Sequence, residues 1–232
     1  MGQLKYTGTY PDLYTFNDSR AKASLVNKLT DTLPGNGVVL GVYHEVYAGI
    51  DASIRGQSVT VSFTLTDAAG NSVTIVSTVT APTQSPAYIR FGGAPGASNV
   101  DYNNLVRVKL GGTSKLATRK DHECPLYINY RTPFEAYTDA KIIAGETPIK
   151  AAHMLEIWEN INIMRQGYAL PVHSYPEFRA GYTSLGGWAD HIREMRAAID
   201  EIGRSHETWL TITENKPRAD VIMQLRRVVA AL

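Results

Sequence analysis

The C-terminal part of the chain repeats one short pattern three times. The copies read Ala151-Ala152-His153-Met154-Leu155-Glu156-Ile157, Ala189-Asp190-His191-Ile192-Arg193-Glu194-Met195 and Ala219-Asp220-Val221-Ile222-Met223-Gln224-Leu225. In each copy, apolar residues recur at steps of three, four and three, as Met154, Ile157, Ile161, Met164, then Ile192, Met195, Ile199, Ile202, then Ile222, Leu225, Val229, Leu232. This spacing is typical of the apolar seam of a helix packed on other helices. Because one copy cannot bury its seam alone, the pattern predicts three stacked helices.

The region before these repeats has the pattern of antiparallel β-structure. Apolar and polar residues alternate through 58–66, a turn follows at 67–71, and 72–80 returns as a partner strand. This arrangement predicts a β-hairpin. Further strands are predicted at 38–47, 87–91, 105–110 and 126–130, separated by Gly, Pro, Ser and Asn. The alternation favours an antiparallel β-sandwich over a parallel α/β sheet.

One helix is predicted early in the β region. Asn17 or Asp18 is a suitable N-cap, and the spacing of Ala21, Leu25 and Leu29 suits one face of about four helical turns. Residues 34–37, with the sequence Pro-Gly-Asn-Gly, would end that helix. The expected fold class is α+β, with an N-terminal antiparallel β-sandwich containing one early helix, followed by three repeated helices.

Two domains are expected, a β-sandwich domain at 1–143 and a helical repeat domain at 144–232. Thr147 is a plausible N-cap for the first repeat, with Pro148 at the first helical position. The connection at 168–187 is long for a compact domain, so we interpret it either as a packed surface loop or as a contact element.

Composition excludes several classes of function. The net charge is +1, with charged residues at 19% of the chain, and neither region has the basic excess expected of a nucleic-acid or membrane-surface binder. No stretch reaches the length of a membrane span, and the first residues contain no apolar segment of a secretory signal. The single cysteine, Cys124, allows no disulfide within one chain. We interpret it as a small, part-buried side chain, because no catalytic motif surrounds it.

The candidate polar pairs are His153 with Glu156 and His191 with Glu194. Residues three apart share a helix face, so each pair would suit one side of a metal site. The third copy has Gln224 and no histidine. We therefore favour pairs that orient the helices, and we predict no metal, no cofactor and no catalytic residue.

The repeated pattern resembles a helical repeat of bacteriophage tail and baseplate-associated proteins and of some bacterial surface proteins, which reads Ala-x-His-x-x-Glu-Leu-Arg-x-x-Ile. The first copy has Trp158 where the arginine is usual, and the third lacks both His and Glu. The resemblance implies a structural virion protein of a tail, baseplate or neck, made in the host cytoplasm. Our interpretation is a non-enzymatic homo-oligomer that binds other virion structural proteins, because the sequence marks no catalytic site and its apolar seams and Tyr-rich strands suit interfaces.

Two alternatives remain from the sequence. Tyrosine is the most frequent aromatic residue, at 13 against five Phe and three Trp. Tyr-rich strand surfaces form protein interfaces or stack on sugars, and we favour the interface. The first alternative is a glycan- or receptor-binding module whose partner is a host-surface glycan. The second is a glycan hydrolase, which requires two convergent carboxylates that the sequence does not mark.

Overall fold

The computed structural model describes residues 2–28, 31–133, 137–174, 187–204, 206–212 and 218–232. It divides the chain into two compact units, Met1–Thr132 and Pro133–Leu232, here called the β unit and the helical unit. The β unit is built from antiparallel sheets, and the helices come late in the chain, so the fold is α+β. The expected boundary at 143/144 falls inside the second unit.

Ten strands occur in the part of the β unit that the structure describes. They are β1 (Gly2–Thr9), β2 (Lys22–Ser24), β3 (Val26–Asn27), β4 (Val38–Ile50), β5 (Ser58–Asp67), β6 (Ser72–Thr80), β7 (Ala87–Gly93), β8 (Leu105–Gly111), β9 (Leu116–Thr118) and β10 (Glu123–Arg131). The first sheet has the order β3-β1-β10-β4-β7, with β9 also paired to β4. The second sheet has the order β2-β8-β5-β6, and β5 and β6 form the expected hairpin.

The alternation of side chains along each strand decides which residues form the core. In β5, Val61, Phe63 and Leu65 are fully buried, while the intervening Ser and Thr residues lie on the other face. The inward residues of both sheets belong to one hydrophobic cluster. Burying one large apolar side chain contributes about 1.5–3 kcal/mol, so this cluster is the main source of stability of the unit.

The prediction of an early helix is wrong for the described residues of that segment. Lys22–Ser24 pairs with β8, and Val26–Asn27 pairs with β1. Ala21, Ala23 and Leu25 are buried and alternate with exposed Lys22 and Ser24, which is the period of a strand. The spacing of Ala21 and Leu25 fits a helix as well as a strand. The backbone hydrogen bonds offered by β8 decide between them, for example the one from the Leu25 amide to Val106 O at 3.0 Å.

A histidine lies in the centre of this core. His44 on β4 is fully buried, beside the rings of Phe63 and Phe91 at centroid distances of 5.8 and 6.0 Å. Its Nδ1 lies 3.1 Å from Pro125 O, and its Nε2 lies 3.0 Å from the hydroxyl of Tyr10. A carbonyl only accepts, so Nδ1 carries the proton and Nε2 accepts from Tyr10. Burial lowers the pKa of His44 to about 4, against the hydrogen bond to Pro125, which raises it.

This histidine predicts a loss of stability in mild acid. Neutral His44 contributes its full stabilisation above its unfolded pKa of about 6.5, and that contribution falls as the pH drops from about 6.5 to about 4. The total loss is about 3 kcal/mol. Denaturant titrations of the wild type and His44→Gln at several pH values in this range measure it. The variant is expected to be less stable near neutrality but to lose less stability on acidification. An equal acid dependence in both proteins would assign the effect to other groups.

The helical unit contains three helices within its described residues, α1 (Ala151–Gly167), α2 (Trp188–Asp200) and α3 (Ala219–Ala231). Each covers one copy of the repeat. No helix in the described ranges is long and apolar enough to cross a bilayer. The connection predicted at 168–187 is described only as far as residue 174 and again at Gly187, so its proposed contact role falls mostly outside the described residues.

Candidate functional site

The apolar seam residues of the three helices face the interior of the helical unit. Eleven of the twelve are buried, and Leu232 at the C-terminus is half-buried. The large side chains of Trp158 and Trp188 are also fully buried in this unit. The seam is therefore buried within one chain, and it does not offer an exposed apolar surface to a partner.

The first polar pair binds the segment that precedes α1. His153 is fully buried, and its Nδ1 accepts the Lys150 amide at 3.2 Å. The proton is then on Nε2, which donates to Asp139 Oδ2 at 2.7 Å. Lys150 Nζ lies 3.0 Å from the same oxygen. The hydrogen bonds from Lys150 and then His153 lower the pKa of Asp139.

Glu156 holds the same segment, residues 137–139, which we call the first strap. It accepts the amide of Thr138 at 2.9 Å and also the hydroxyl of that residue. Arg226 of α3 reaches the strap from the other side, donating to Asp139 O at 2.6 Å and lying 3.9 Å from the ring centroid of Tyr137. The strap is thus bound by one carboxylate from α1 and one guanidinium from α3.

A second strap, residues 208–210, is held in the same way between α2 and α3. Gln224 accepts the amide of Leu210 at 2.9 Å and donates to Thr208 O at 2.8 Å. Arg196 of α2 donates to Leu210 O at 2.9 Å, and its guanidinium lies 5.1 Å from the ring of Trp209. Both straps therefore combine a backbone clamp with a cation–π contact.

The residues that hold the two straps occupy equivalent positions in the aligned repeats. Arg196 and Arg226 occupy one column of the aligned copies, and Glu156 and Gln224 occupy another. Each arginine lies next to the Glu or Gln of a different copy: Arg196 Nη2 is 3.5 Å from Gln224 Oε1, and Arg226 Nη2 is 3.5 Å from Glu156 Oε2. The third member of the arginine column is Trp158. The polar columns of the repeat thus connect one copy to another and hold the segments between them.

Trp158 makes an aromatic stacking contact at the position where the other two copies have an arginine. Its ring stacks on His173, with centroids 5.2 Å apart and an interplanar angle of 6°. Asn162 fixes the backbone of His173 through two bonds, from its Nδ2 to His173 O at 3.0 Å and from His173 N to its Oδ1 at 2.9 Å. The first copy therefore has tryptophan in place of arginine, and the segment that Trp158 contacts supplies the ring of His173 as its partner.

The second polar pair has different surroundings. His191 Nδ1 lies 3.9 Å from Glu194 Oε2 on α2, and the Glu194 side chain is 49% exposed. Neither pair belongs to a metal-ligand cluster, because no group of three or more His, Cys, Asp or Glu side chains in the described ranges is arranged to hold an ion. The structure thus places His153 and Glu156 together in a strap contact and leaves His191 and Glu194 near the surface of α2.

The β unit carries a different candidate surface, on the outer face of its first sheet. Tyr43, Tyr47, Tyr88, Arg90 and Tyr127 define this surface, which we call the tyrosine face. Tyr127 and Tyr43 are direct cross-strand partners, and so are Tyr47 and Tyr88, whose ring centroids are 4.9 Å apart. Tyr88 is 52% exposed and the other three tyrosines are half-buried.

Arg90 links the rings of the tyrosine face. Its guanidinium carbon lies 5.0 Å from the Tyr43 ring centroid and 5.4 Å from that of Tyr127. It also pairs with Glu45, its direct cross-strand partner, at 3.4 Å. At the edge of the face, the His122 ring lies 4.1 Å from the Tyr47 ring. Aromatic rings and an arginine held by neighbours form a surface with little conformational entropy to lose on binding.

The sequence contains a partial sign of this face. Tyr43, Glu45 and Tyr47 alternate with buried residues along β4, which places them on one side of a strand. Their contacts with Tyr88 and Arg90 on β7 and with Tyr127 on β10 depend on the order of the strands in the sheet. The alternation of residues along one strand does not determine that order. Cys124 of β10 is fully buried, and burial raises the pKa of its thiol.

No protein-family model matches this chain. Among solved structures, it is similar to PfGH50B, with a TM-score of 0.24 and 11% sequence identity over 67% of this chain and 28% of that one. It is similar also to an exo-beta-agarase, with a TM-score of 0.23 and 10% identity over 62% of this chain and 24% of that one. The chain thus spans about a quarter of the length of each of these proteins.

Proposed function

We propose that the protein is a structural component of a bacteriophage virion, in the tail, baseplate or neck, that acts by binding copies of itself and neighbouring virion proteins. The tyrosine face carries this proposal. Tyrosine and arginine are enriched at the energetic centres of protein interfaces, and this face brings four tyrosines together with Arg90. The proposed mechanism is burial of this face between chains, without covalent chemistry.

The helical unit has a supporting part in this proposal. Its seam is used internally, so we infer that it provides a rigid body whose outer surface meets a further virion component. We also propose that the two sheets of the β unit pack as a β-sandwich, since their inward residues share one cluster. The resemblance of the repeats to those of tail and baseplate proteins supports a location in the virion.

Substitution in the tyrosine face is expected to weaken self-association. The double variant Tyr43→Ser, Tyr127→Ser removes two adjacent rings and the support of Arg90. Loss of hot-spot residues costs at least about 2 kcal/mol of binding free energy, so the dissociation constant should rise more than about tenfold. Sedimentation equilibrium over a range of protein concentrations measures it.

The matched control is Val76→Ser, which alters an exposed residue on the outer face of the second sheet. It should leave self-association unchanged. A wild-type protein that stays monomeric at millimolar concentration would contradict self-assembly through this face. Equal weakening by the control would show that the effect is not confined to the tyrosine face.

A glycan-binding module is the second candidate function. Tyrosine rings stack on sugars, and polar groups on the same sheet face, Glu45 and Asn129, are suited to bind sugar hydroxyls. Binding on a glycan array that is lost in the Tyr43→Ser, Tyr127→Ser variant would favour this function. Retained binding in that variant would place any glycan elsewhere on the chain.

A further inference from the structure

A groove of about 500 Å³ runs beside β1, where β2 and β3 pass along it. Its polar lining consists of Thr7, Thr9, Lys22, Ser24, Lys28 and Glu123. We call it the lysine groove. Its volume lies within the range of about 300–1,000 Å³ that is usual for small-molecule sites.

The charges around the groove favour an anion. Within the described residues, no carboxylate lies within ion-pair distance of Lys22 or Lys28. Lys22 is the direct cross-strand partner of Lys109, and like charges in this position repel. The Lys28 amide donates to Lys5 O at 2.9 Å, which fixes the backbone that carries Lys28. Glu123 is the one carboxylate that lines the groove among the described residues.

The remaining polar lining favours a ligand with hydroxyl groups. Thr9 and Ser24 are exposed and line the groove, so their hydroxyls are open to a ligand. Thr9, Ser24 and Glu123 add hydroxyl and carboxylate groups that pair with sugar hydroxyls.

The strands that form the groove approach each other closely. A Cβ built on Gly8 would lie 2.6 Å from Ser24 O, so a larger residue cannot be placed there without displacing β2. The lining of the groove therefore combines backbone, short polar side chains, Pro11 and Val26 with the long side chains of Lys22 and Lys28. Such a lining suits a polar ligand that lies along the strands.

We propose that the lysine groove binds an acidic saccharide, whose anionic groups pair with Lys22 and Lys28 and whose hydroxyls bond to the Thr, Ser and Glu side chains. This site differs from the tyrosine face, on which the second candidate function was argued, and it adds an acidic class of glycan. None of the residues that define the tyrosine face lines the groove, but the two surfaces adjoin, since the Tyr88 hydroxyl donates to Glu123 O at 3.4 Å.

The test uses the full chain and a tetramer of galacturonic acid, with the fully methyl-esterified tetramer as its neutral counterpart. Isothermal titration should show binding of the acid form and none of the ester. Lys22→Gln and Lys28→Gln should each weaken binding about threefold to fivefold, and added salt should weaken it further. Lys120→Gln removes a lysine outside the groove and should change nothing.

The possible results separate this inference from the functions proposed above. Equal binding of the ester, or equal weakening by Lys120→Gln, would overturn the inference, since the charge at the groove would then not matter. Inorganic sulfate that binds as tightly as the tetramer would overturn the saccharide assignment. Absence of tetramer binding, together with glycan binding that depends on Tyr43 and Tyr127, would reject the groove and retain the second candidate function.

Discussion

Replacement of Ile199 by aspartate is expected to unfold the helical unit. Ile199 is fully buried on α2, in the apolar seam that this helix presents to the interior of the unit. A carboxylate at this position would be ionised without a partner, or would take up a proton at a large free-energy cost. The expected destabilisation exceeds about 4 kcal/mol, which is in the uppermost range for single substitutions. Circular dichroism during thermal unfolding measures the lost helix signal.

The matched control places the same acid on the exposed side of the same helix. Ala197 is exposed two residues earlier, so Ala197→Asp should change stability by less than about 1 kcal/mol. If Ile199→Asp and Ala197→Asp unfold alike, the effect comes from loss of helix propensity. An Ile199→Asp protein with wild-type unfolding would show that this side chain is not in the core.

Removal of Arg226 is expected to release the first strap and to destabilise the helical unit by about 3–5 kcal/mol. The side chain is 4% exposed, and it joins the Asp139 carbonyl, the Tyr137 ring and the Glu156 carboxylate. Burial lowers the pKa of Arg226, while Tyr137, Glu156 and Asp139 act in the opposite direction. Arg226→Ala would therefore leave a largely buried carboxylate without its cation. Denaturant unfolding gives the loss, and hydrogen exchange at Thr138 reports on the strap.

The neighbouring Arg227 provides the control. It pairs with Glu207 at 3.1 Å, and its side chain is 57% exposed, so Arg227→Ala should cost less than about 1 kcal/mol. A cycle that combines Arg226→Ala with Glu156→Gln isolates the coupling between the two groups. Equal losses for Arg226→Ala and Arg227→Ala would mean that the buried contacts of Arg226 contribute nothing beyond helix propensity.

The sequence anticipates elements whose signal is local. The seam spacing predicted α1, α2 and α3, and the alternation of Ser58–Thr66 predicted the hairpin, because each pattern has one period over many residues. The segment from Ala21 to Leu25 has too few residues to separate a period of two from one of 3.6. Its spacing predicts a helix, whereas pairing of Lys22–Ser24 with β8 makes it a strand.

Local sequence patterns do not predict contacts between segments that are distant along the chain. The spacing of His153 and Glu156 correctly puts both on one helix face, but it does not reveal that the strap at 137–139 is their partner, since that segment was assigned to the β domain. The arginine column shows in the sequence as a departure at Trp158 in the first copy, and the spacing does not mark it as a link between copies. The tyrosine face needs the order of three strands, and the lysine groove needs the path of β2 and β3 beside β1.

The contact between Arg226 and Asp139 brings the last helix of the repeat region against the first segment of that region. The same helix also reaches the other end of α1, where the Tyr168 hydroxyl donates to Leu232 O at 3.2 Å. Contacts along α3 therefore involve both the segment before α1 and the residue that follows it, so a spectroscopic label at Leu232 would report on the far end of α1 and a label at Thr138 on the strap.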